Sequence, residues 1–236
     1  MTEFNLKPSN YNNLDIIKFS VDNILSKRIQ PPFANTSFFM IINGKPKSGK
    51  TSLLVNMLTH KNIYKQVFNK IILACPGGSR KSLKDDIFED LEYQYNELSS
   101  DLFNKIKDIG DEFQNEKSKR KKNQLLIIDD LTSSLKDWEQ ELKELAFNRR
   151  HIHLSIIILS QNLRQIPRTL RFATSHIIFF KSSNNLELAL INEEYIALPK
   201  NQFLRLIRFV FDAEHTFIFI DKEKELYYKN LRQIIM

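Results

Sequence analysis

The chain has 236 residues, of which 42% are hydrophobic and 27% are charged, a balance that excludes wholesale disorder. It contains no uncharged apolar run of about 18 residues or more, which excludes a transmembrane helix. The first residues lack the basic-then-apolar pattern of a signal peptide, and the single cysteine, Cys75, fits a reducing compartment. We therefore expect an intracellular protein that is not secreted and that forms one α/β domain.

The charge of the chain is the first indication of a partner. The net charge is +7 and the isoelectric point is near 9.3. A basic protein favours polyanions such as nucleic acid, because neutralised phosphates release their counterions. Lysine-rich proteins are also common products of AT-rich genomes, so the charge allows a nucleic-acid partner without identifying one.

Five apolar, β-branched runs separated by helical patterns predict the buried strands of a mainly parallel sheet. Between the first two runs, residues 52–59 place their apolar side chains on one helical stripe, and residues 139–149 do the same later in the chain. Strands that alternate with helices predict right-handed βαβ crossovers and helices on the faces of the sheet. The five runs are 38–43, 70–75, 125–129, 154–159 and 175–180.

Two segments depart from this alternation. Residues 79–122 are polar and place Leu83, Ile87 and Leu91 at four-residue spacing, which predicts a mostly helical insertion that ends in a basic run. Beyond Pro199, three apolar runs predict antiparallel strands at the edge of the sheet, namely 205–211, 216–221 and 225–229.

No internal repeat or linker divides the chain. We expect a single domain over residues 1–236 with three appendages. They are an N-terminal extension (1–36), the helical insertion (79–122) and a C-terminal hairpin (200–236).

The most informative motif runs from Gly44 to Thr51, GKPKSGKT, and matches the phosphate-binding P-loop pattern. It follows a predicted strand and opens a predicted helix, where a curled backbone and a helix N-terminus present N–H groups to phosphates. Lys50 is predicted to bridge the β- and γ-phosphates of ATP, and the Thr51 hydroxyl to hold Mg²⁺. The nucleotide-binding residues are predicted to be Gly44, Lys47, Ser48, Gly49, Lys50, Thr51 and Ser52.

A second signal is the apolar strand that ends in Asp129 and Asp130. Ligands of open α/β sheets bind at the carboxyl ends of the strands, so Asp129 is placed to hold Mg²⁺ and Asp130 to act as general base for the attacking water. The alternative is that both carboxylates cap the next helix, near Ser133 or Lys136.

Polar residues also flank the strand over 154–159. It runs into Ser160 and Gln161, and Gln161 can sense the γ-phosphate and orient water, or simply cap the following turn. Arg149 and Arg150 precede the strand. An arginine on the surface near the nucleotide edge can reach a neighbouring subunit's γ-phosphate, although solvated surface arginines are the alternative.

Together, the stretches GKPKSGKTS, LLIIDDL and NRRHIHLSIIILSQNLRQIPRTLRFATS resemble the poxvirus-type virion DNA-packaging ATPases. These belong to the superfamily of the bacterial translocase FtsK and the archaeal translocase HerA. The third stretch is the specific one, and FIFIDKEKELYY resembles the closing hairpin of the family. The resemblance covers about 29–228. Its specific residues are Arg150-His151, Ser160-Gln161, Pro167 and Arg171.

The resemblance implies a RecA-like P-loop NTPase that hydrolyses ATP with Mg²⁺ in a pentameric or hexameric ring around double-stranded DNA. The implied partners are viral capsid proteins, and no association with a membrane is implied. The implied location is the virion or the host-cell cytoplasm. The resemblance assigns the γ-phosphate sensor to Gln161, makes Arg150 the preferred trans finger and makes Arg171 a weaker candidate. Many members of the superfamily carry Asp-Glu where this chain has Asp129-Asp130, so Asp130 is shorter than the usual base.

Two other functions remain compatible with the P-loop. A nucleoside or nucleotide kinase shares the loop and the length, but it needs an arginine-bearing lid that the sequence does not show. A nucleotide switch that acts without DNA is the second alternative. ATP hydrolysis stimulated by long duplex DNA distinguishes the motor from both.

Overall fold

The computed structural model describes residues 24–79, 87–116 and 121–235. Most of the predicted N-terminal extension lies outside these residues. So do Leu83 and Lys117, Lys119 and Arg120 of the basic run. Of the rest of that run, Lys122 forms an ion pair of 2.8 Å with Glu116.

In the described part of the chain, the centre is one nine-stranded sheet with the strand order β3-β2-β4-β5-β1-β6-β7-β8-β9. Neighbouring strands from β1 to β6 are parallel, and β7, β8 and β9 continue the sheet in antiparallel pairs. All five strands predicted from apolar runs are present. The strands are β1 Phe39–Asn43, β2 Lys70–Ala74, β3 Tyr93–Tyr95, β4 Gln124–Ile128, β5 Leu154–Ser160, β6 His176–Phe180, β7 Phe217–Asp221, β8 Leu226–Lys229 and β9 Arg232–Gln233.

Helices cover both faces of this sheet, which confirms the predicted α/β class with a mainly parallel sheet. Successive β1 residues point to opposite faces, so Phe39 and Ile41 enter one apolar core while Met40 and Ile42 enter the other. Helix α1 and residues 25–34 pack on the second core, whereas residues of α2, α3, α4, α5 and α6 pack on the first. The helices are α1 Lys50–Thr59, α2 Ser100–Asn115, α3 Glu139–Asn148, α4 Arg168–Ala173, α5 Asn185–Ile191 and α6 Lys200–Val210.

The predicted helical insertion is only partly helical. Leu91 lies in a turn before β3, whose aromatic residues pair with β2 and extend the sheet. The helix of this segment begins later, because the Ser99 side chain accepts a hydrogen bond from the Leu102 N–H and so caps α2. Its buried stripe is Leu102, Phe103, Ile106, Ile109, Gly110 and Phe113.

The prediction of a strand over 205–211 is wrong, because these residues belong mostly to α6. The buried residues Phe203, Leu206 and Val210 recur with helical spacing, and the intervening Phe209 is exposed. Aromatic and β-branched composition suggested a strand, and the packing of one apolar stripe on the sheet overrides that propensity. The predicted hairpin that follows is confirmed as β7 and β8.

The topology brings the carboxyl ends of β1, β4, β5 and β6 to the same edge of the sheet. Strand β1 lies between β5 and β6 at the centre, which is where ligands bind in open α/β sheets. No helix among the described residues is long and apolar enough to cross a bilayer.

Candidate nucleotide site

The P-loop joins the carboxyl end of β1 to the first residue of α1, as predicted. Lys47 and Gly49 both adopt left-handed backbone conformations, with φ angles of 62° and 105°. A glycine avoids the steric penalty that a side chain would meet at such an angle. Helix α1 starts at Lys50, so the N-terminus of the helix opens directly onto the loop.

Gly44 is required by close packing. A β-carbon at this position would lie 2.6 Å from the Ser48 Oγ atom and 2.7 Å from the Phe180 β-carbon. Both separations are too short for non-bonded atoms, so a side chain at Gly44 would push the loop away from β6.

We therefore expect Gly44→Ala to lower the free energy of unfolding by about 1–3 kcal/mol, as overpacking does, and to weaken nucleotide binding by distorting the loop. Gly78→Ala is the control, because a β-carbon at Gly78 would meet no atom within 4 Å. Thermal unfolding and titration with a fluorescent ATP analogue measure the two effects. Equal behaviour of both variants would contradict the packing argument.

Lys50 is buried inside the curl of the loop. Its Nζ atom donates hydrogen bonds to the Gly44 carbonyl at 2.7 Å and the Lys45 carbonyl at 3.2 Å. Burial lowers the pKa of Lys50, while the charges of Asp129 and Asp130 raise it. An ammonium group held this way can exchange carbonyl contacts for phosphate oxygens.

The loop also fits a phosphate in a second respect. The Ser48 Oγ atom is buried and has no hydrogen-bond partner among the described residues. A buried hydroxyl without a partner is costly, and a phosphate oxygen would supply the missing partner. Of the other predicted ligands, Thr51 is half-buried and Ser52 is exposed on the first turn of α1.

The acidic pair lies beside this loop, at the end of β4. The Asp129 N–H donates to the Ala74 carbonyl at 2.9 Å and keeps the residue in line with the sheet. Burial raises the pKa of the Asp129 carboxyl to about 6, with a further rise from Asp130 and an opposing effect from Lys50. Asp130 is exposed and has a left-handed φ of 54°. The alternative role as helix cap is not supported, since the 3₁₀ turn Thr132–Lys136 has no side-chain cap.

Gln161 lies next to Asp130. Its Nε2 atom donates a hydrogen bond of 3.0 Å to Asp130 Oδ1, across the ends of β4 and β5. The turn that follows is capped by Asn162, whose Oδ1 atom accepts from the Arg164 N–H, and not by Gln161. The structure thus brings together two side chains that the sequence separates by thirty-one positions.

The arginines before β5 lie at the opposite edge of the sheet and not near the nucleotide edge as expected. Arg149 is buried and donates to the Ala146 carbonyl at 2.7 Å. Arg150 is more exposed and forms an ion pair of 3.2 Å with Glu223. Because the seven residues of β5 intervene, about 20 Å separate Arg150 from the P-loop of its own subunit.

Arg171 is also away from the P-loop and has partners within the subunit. Its Nε and Nη2 atoms donate to the two carboxylate oxygens of Glu194 at 2.8 and 2.9 Å. Its Nη1 atom donates to the Ile166 carbonyl. This two-pronged, largely buried contact fixes α4 against the turn after α5.

A cavity of about 450 Å³ adjoins the P-loop on the side of β6. The α6–β7 turn forms its far wall, and the His215 ring contacts the Ser48 carbonyl through Nδ1 at 3.0 Å. Sequence analysis did not predict the residues that form this wall. Lys181 could have been identified, because it directly follows the predicted strand 175–180 at the ligand-binding edge. The lining residues are Lys45, Pro46, Lys47, Ser48, Phe180, Lys181, Glu214, His215 and Thr216.

Comparison with protein families agrees with the motifs. Residues 30–224 match the model of the family described as Poxvirus A32 protein. The match covers most of the chain and confirms the resemblance predicted from the sequence. Among curated proteins, none matches the chain at a significant level.

Solved structures of similar fold include the genome packaging NTPase B204 from Sulfolobus turreted icosahedral virus 2 in complex with ATP-gammaS. That protein has a TM-score of 0.56 and 16% identity over 84% of this chain and 98% of its own. B204, the DNA-packaging ATPase from Sulfolobus turreted icosahedral virus, has a TM-score of 0.56 and 16% identity, and the match covers 83% of this chain and 97% of its own. EssC (ATPases 2 and 3) from Geobacillus thermodenitrificans has a TM-score of 0.55 and 14% identity, and the match covers 83% of this chain and 39% of its own. These similarities show a P-loop ATPase fold.

Proposed function

This chain belongs to the Poxvirus A32 protein family of viral genome-packaging ATPases, and we propose that it couples ATP hydrolysis to the movement of double-stranded DNA into a capsid. The observation that carries the proposal is the convergence of four groups at one edge of the sheet. Lys50 lies in the P-loop, Asp129 directly follows β4, and Asp130 is hydrogen-bonded to Gln161, which directly follows β5. The solved packaging NTPase B204, which has the same fold, binds ATP-gammaS.

The triphosphate of ATP would lie along the P-loop. Its γ-phosphate would face Lys50 and the acidic pair. These groups lie close together, because the charges of Asp129 and Asp130 raise the pKa of Lys50. The nucleoside would then extend to the other side, into the cavity between the loop and the α6–β7 turn. Cavities of this size and polarity accommodate small organic ligands.

The donor set also suits Mg²⁺. The Thr51 hydroxyl and the Asp129 carboxylate are oxygen ligands of the kind that Mg²⁺ prefers, and the remaining positions are usually filled by water and phosphate. When bound by these two residues, Mg²⁺ would supply charge neutralisation at the β- and γ-phosphates. Asp129 would bind the ion on the side of Lys50, whereas the exposed side chain of Asp130 would face the attacking water.

Asp130 and Gln161 would act on the attacking water. The hydrogen bond between them fixes both side chains, so that the carboxylate accepts a proton from the water while the amide orients it. Their position at adjacent strand ends supports this role, because a γ-phosphate bound beyond Lys50 would lie next to both side chains. Such positioning and charge stabilisation account for most of the catalysis in phosphoryl transfer.

Assembly into a ring would complete the site. Arg150 is too far from its own P-loop to act there, but head-to-tail contacts in a ring join different faces of neighbouring subunits. An arginine remote from its own site can therefore reach the γ-phosphate of the next subunit. DNA in the central channel would be contacted through its phosphates, independently of base sequence.

The buried carboxyl of Asp129 leads to a stability prediction. Because its folded-state pKa of about 6 lies above the ordinary 3.8, the charge destabilises the folded protein above pH 6, and this effect fades as the pH falls toward 4. In metal-free and nucleotide-free protein, Asp129→Asn should raise the melting temperature at pH 8 by on the order of 5 °C. At pH 4.5 the gain should fall to about a third, because the folded carboxyl is then mostly protonated while the unfolded carboxyl, of ordinary pKa 3.8, is still mostly ionised.

Asp137→Asn, at an exposed carboxylate in the turn before α3, is the matched control for this experiment. Thermal unfolding followed by circular dichroism gives both melting temperatures. A gain from Asp129→Asn that is the same at both pH values would show that the buried charge is not its source. Hydrolysis with Mg²⁺ should be lost in Asp129→Asn despite the added stability.

The experiment that tests the proposed function is steady-state ATP hydrolysis with and without long double-stranded DNA. DNA-stimulated hydrolysis supports the motor. Phosphorylation of an added nucleoside would instead support a kinase, and nucleotide binding without turnover would support a switch.

A further inference from the structure

Glu187 is a buried carboxylate in the first turn of α5, close to the nucleotide edge but outside every motif of the sequence. It is 6% exposed. Among the described residues, no lysine or arginine forms an ion pair with it within 4.0 Å. Burying a carboxylate without a cation is costly unless hydrogen bonds stabilise it. Its hydrogen bonds therefore indicate what it does.

Those bonds come from three different segments that meet behind the phosphate site. The Leu163 N–H donates to Oε1 at 3.0 Å, and the Asn43 side-chain amide donates to the same oxygen at 3.4 Å. The Ser182 hydroxyl donates to Oε2 at 2.8 Å. One side chain thus joins the residues that follow β5 and β6 to the last residue of β1.

Each of the three segments carries a residue of the proposed site. Asn43 directly precedes Gly44 of the P-loop, Leu163 lies two residues after Gln161, and Ser182 follows Lys181 of the cavity wall. The Gly44 N–H also donates to the Ser160 carbonyl at 3.0 Å, so β1 and β5 are already in register up to this point. Strand β5 ends at Ser160. Beyond it, the hydrogen bonds of Glu187 connect the residues after β5 to the end of β1.

We propose that Glu187 is a positioning residue that holds the Gln161 segment in register with the P-loop, so that the water-orienting amide and the γ-phosphate keep a fixed separation. The inference rests on the proposed function, in which Gln161 acts on the attacking water. In this role Glu187 acts through its hydrogen bonds with Leu163 and Asn43, and not on the nucleotide itself. A side chain that only stabilised the fold would show no dependence on Gln161.

The test is a double-mutant cycle between Glu187 and Gln161, read as kcat and KM for ATP. Glu187→Ala should lower kcat about tenfold and change KM less than about twofold, since misplacement of a catalytic group affects the chemical step. Glu187→Gln keeps an acceptor oxygen for the Leu163 N–H, and its amide N–H can donate to the Ser182 hydroxyl oxygen instead of accepting from it, so this variant should recover most of the activity. In a Gln161→Ala background, Glu187→Ala should cost less than about twofold.

The control is Leu186→Ala, at the adjacent and 60% exposed position of the same helix turn, which should behave as wild type. If Glu187→Ala does not fold, Ser182→Ala replaces it in the cycle and removes the 2.8 Å hydrogen bond to Glu187 together with the 3.1 Å hydrogen bond from the Asn184 N–H. A full, independent loss of kcat in the Gln161→Ala background would overturn the inference. A Gln161→Ala variant with wild-type kcat would instead overturn the role of Gln161 in the proposed function.

Discussion

Lys50→Ala is expected to reduce ATP hydrolysis by at least about 100-fold, because the Nζ atom is the charge proposed to contact the β- and γ-phosphates and such a donor typically contributes two to three orders of magnitude. In the structure this atom lies inside the P-loop on the Gly44 and Lys45 carbonyls. Its removal also leaves Asp129 and Asp130 without the cation that faces them. Initial rates of phosphate release measure the effect.

The control for this variant is Lys61→Ala, at an exposed lysine just beyond the far end of α1. It should hydrolyse ATP like the wild type. Thermal unfolding separates a catalytic defect from a folding defect. Hydrolysis by Lys50→Ala within about tenfold of the wild-type rate would contradict the assignment of this loop as the catalytic phosphate site.

Arg150→Ala is expected to lower the turnover of the assembled protein by about 1,000-fold, the usual contribution of an arginine that stabilises the transition state from a neighbouring subunit. Arg150 is suited to this role because its side chain is 43% exposed, and its ion pair of 3.2 Å with Glu223 lies at the surface. Arg149 is less suited, since it is buried and its Nη1 atom donates a hydrogen bond to the Ala146 carbonyl. Arg205→Ala, at an exposed arginine on α6, is the control.

A mixing experiment tests whether Arg150 acts in trans. Lys50→Ala subunits keep the arginine but lack the phosphate lysine, whereas Arg150→Ala subunits have the opposite defect. Mixed assemblies contain interfaces where an intact P-loop faces an intact arginine, so the mixture should be more active than either variant alone. A mixture that stays as inactive as its components would contradict the trans assignment.

The parts of the site that the sequence predicted are those built by local sequence. The P-loop needs contiguous residues between a strand and a helix, so its pattern places Lys50 and Thr51 at once. The β4 and β5 strands are mostly apolar, so the polar residues that directly follow them, Asp129 and Gln161, stand out. Parallel strand ends then bring Gln161 and Asp130 into contact at 3.0 Å.

The remaining parts depend on contacts between distant segments. Glu187 lies in an ordinary amphipathic stretch, and only the tertiary fold shows that it accepts hydrogen bonds from Asn43, Leu163 and Ser182. His215 reaches the P-loop from the opposite end of the chain. The position of Arg150 was mispredicted because it precedes β5, and the start of a parallel strand lies at the edge away from the ligand.

The secondary structure shows the same division. Apolar periodicity alone predicted strand β1 and helix α1, but it did not predict that most of the 205–211 segment is helical. Its apolar residues suit either structure, and packing of Phe203, Leu206 and Val210 on the sheet decides for a helix. Short apolar runs are ambiguous in this way until a neighbouring surface is known.

The most direct test of the central claim is the rate of ATP hydrolysis by the purified 236-residue chain, with Mg²⁺, as a function of the length of added double-stranded DNA. A translocating motor is stimulated more by long duplexes than by short ones at equal nucleotide concentration, and the stimulation should be absent in Lys50→Ala. Lys50-dependent hydrolysis that is unchanged by DNA of any length would contradict the assignment of this packaging ATPase as a DNA-translocating motor.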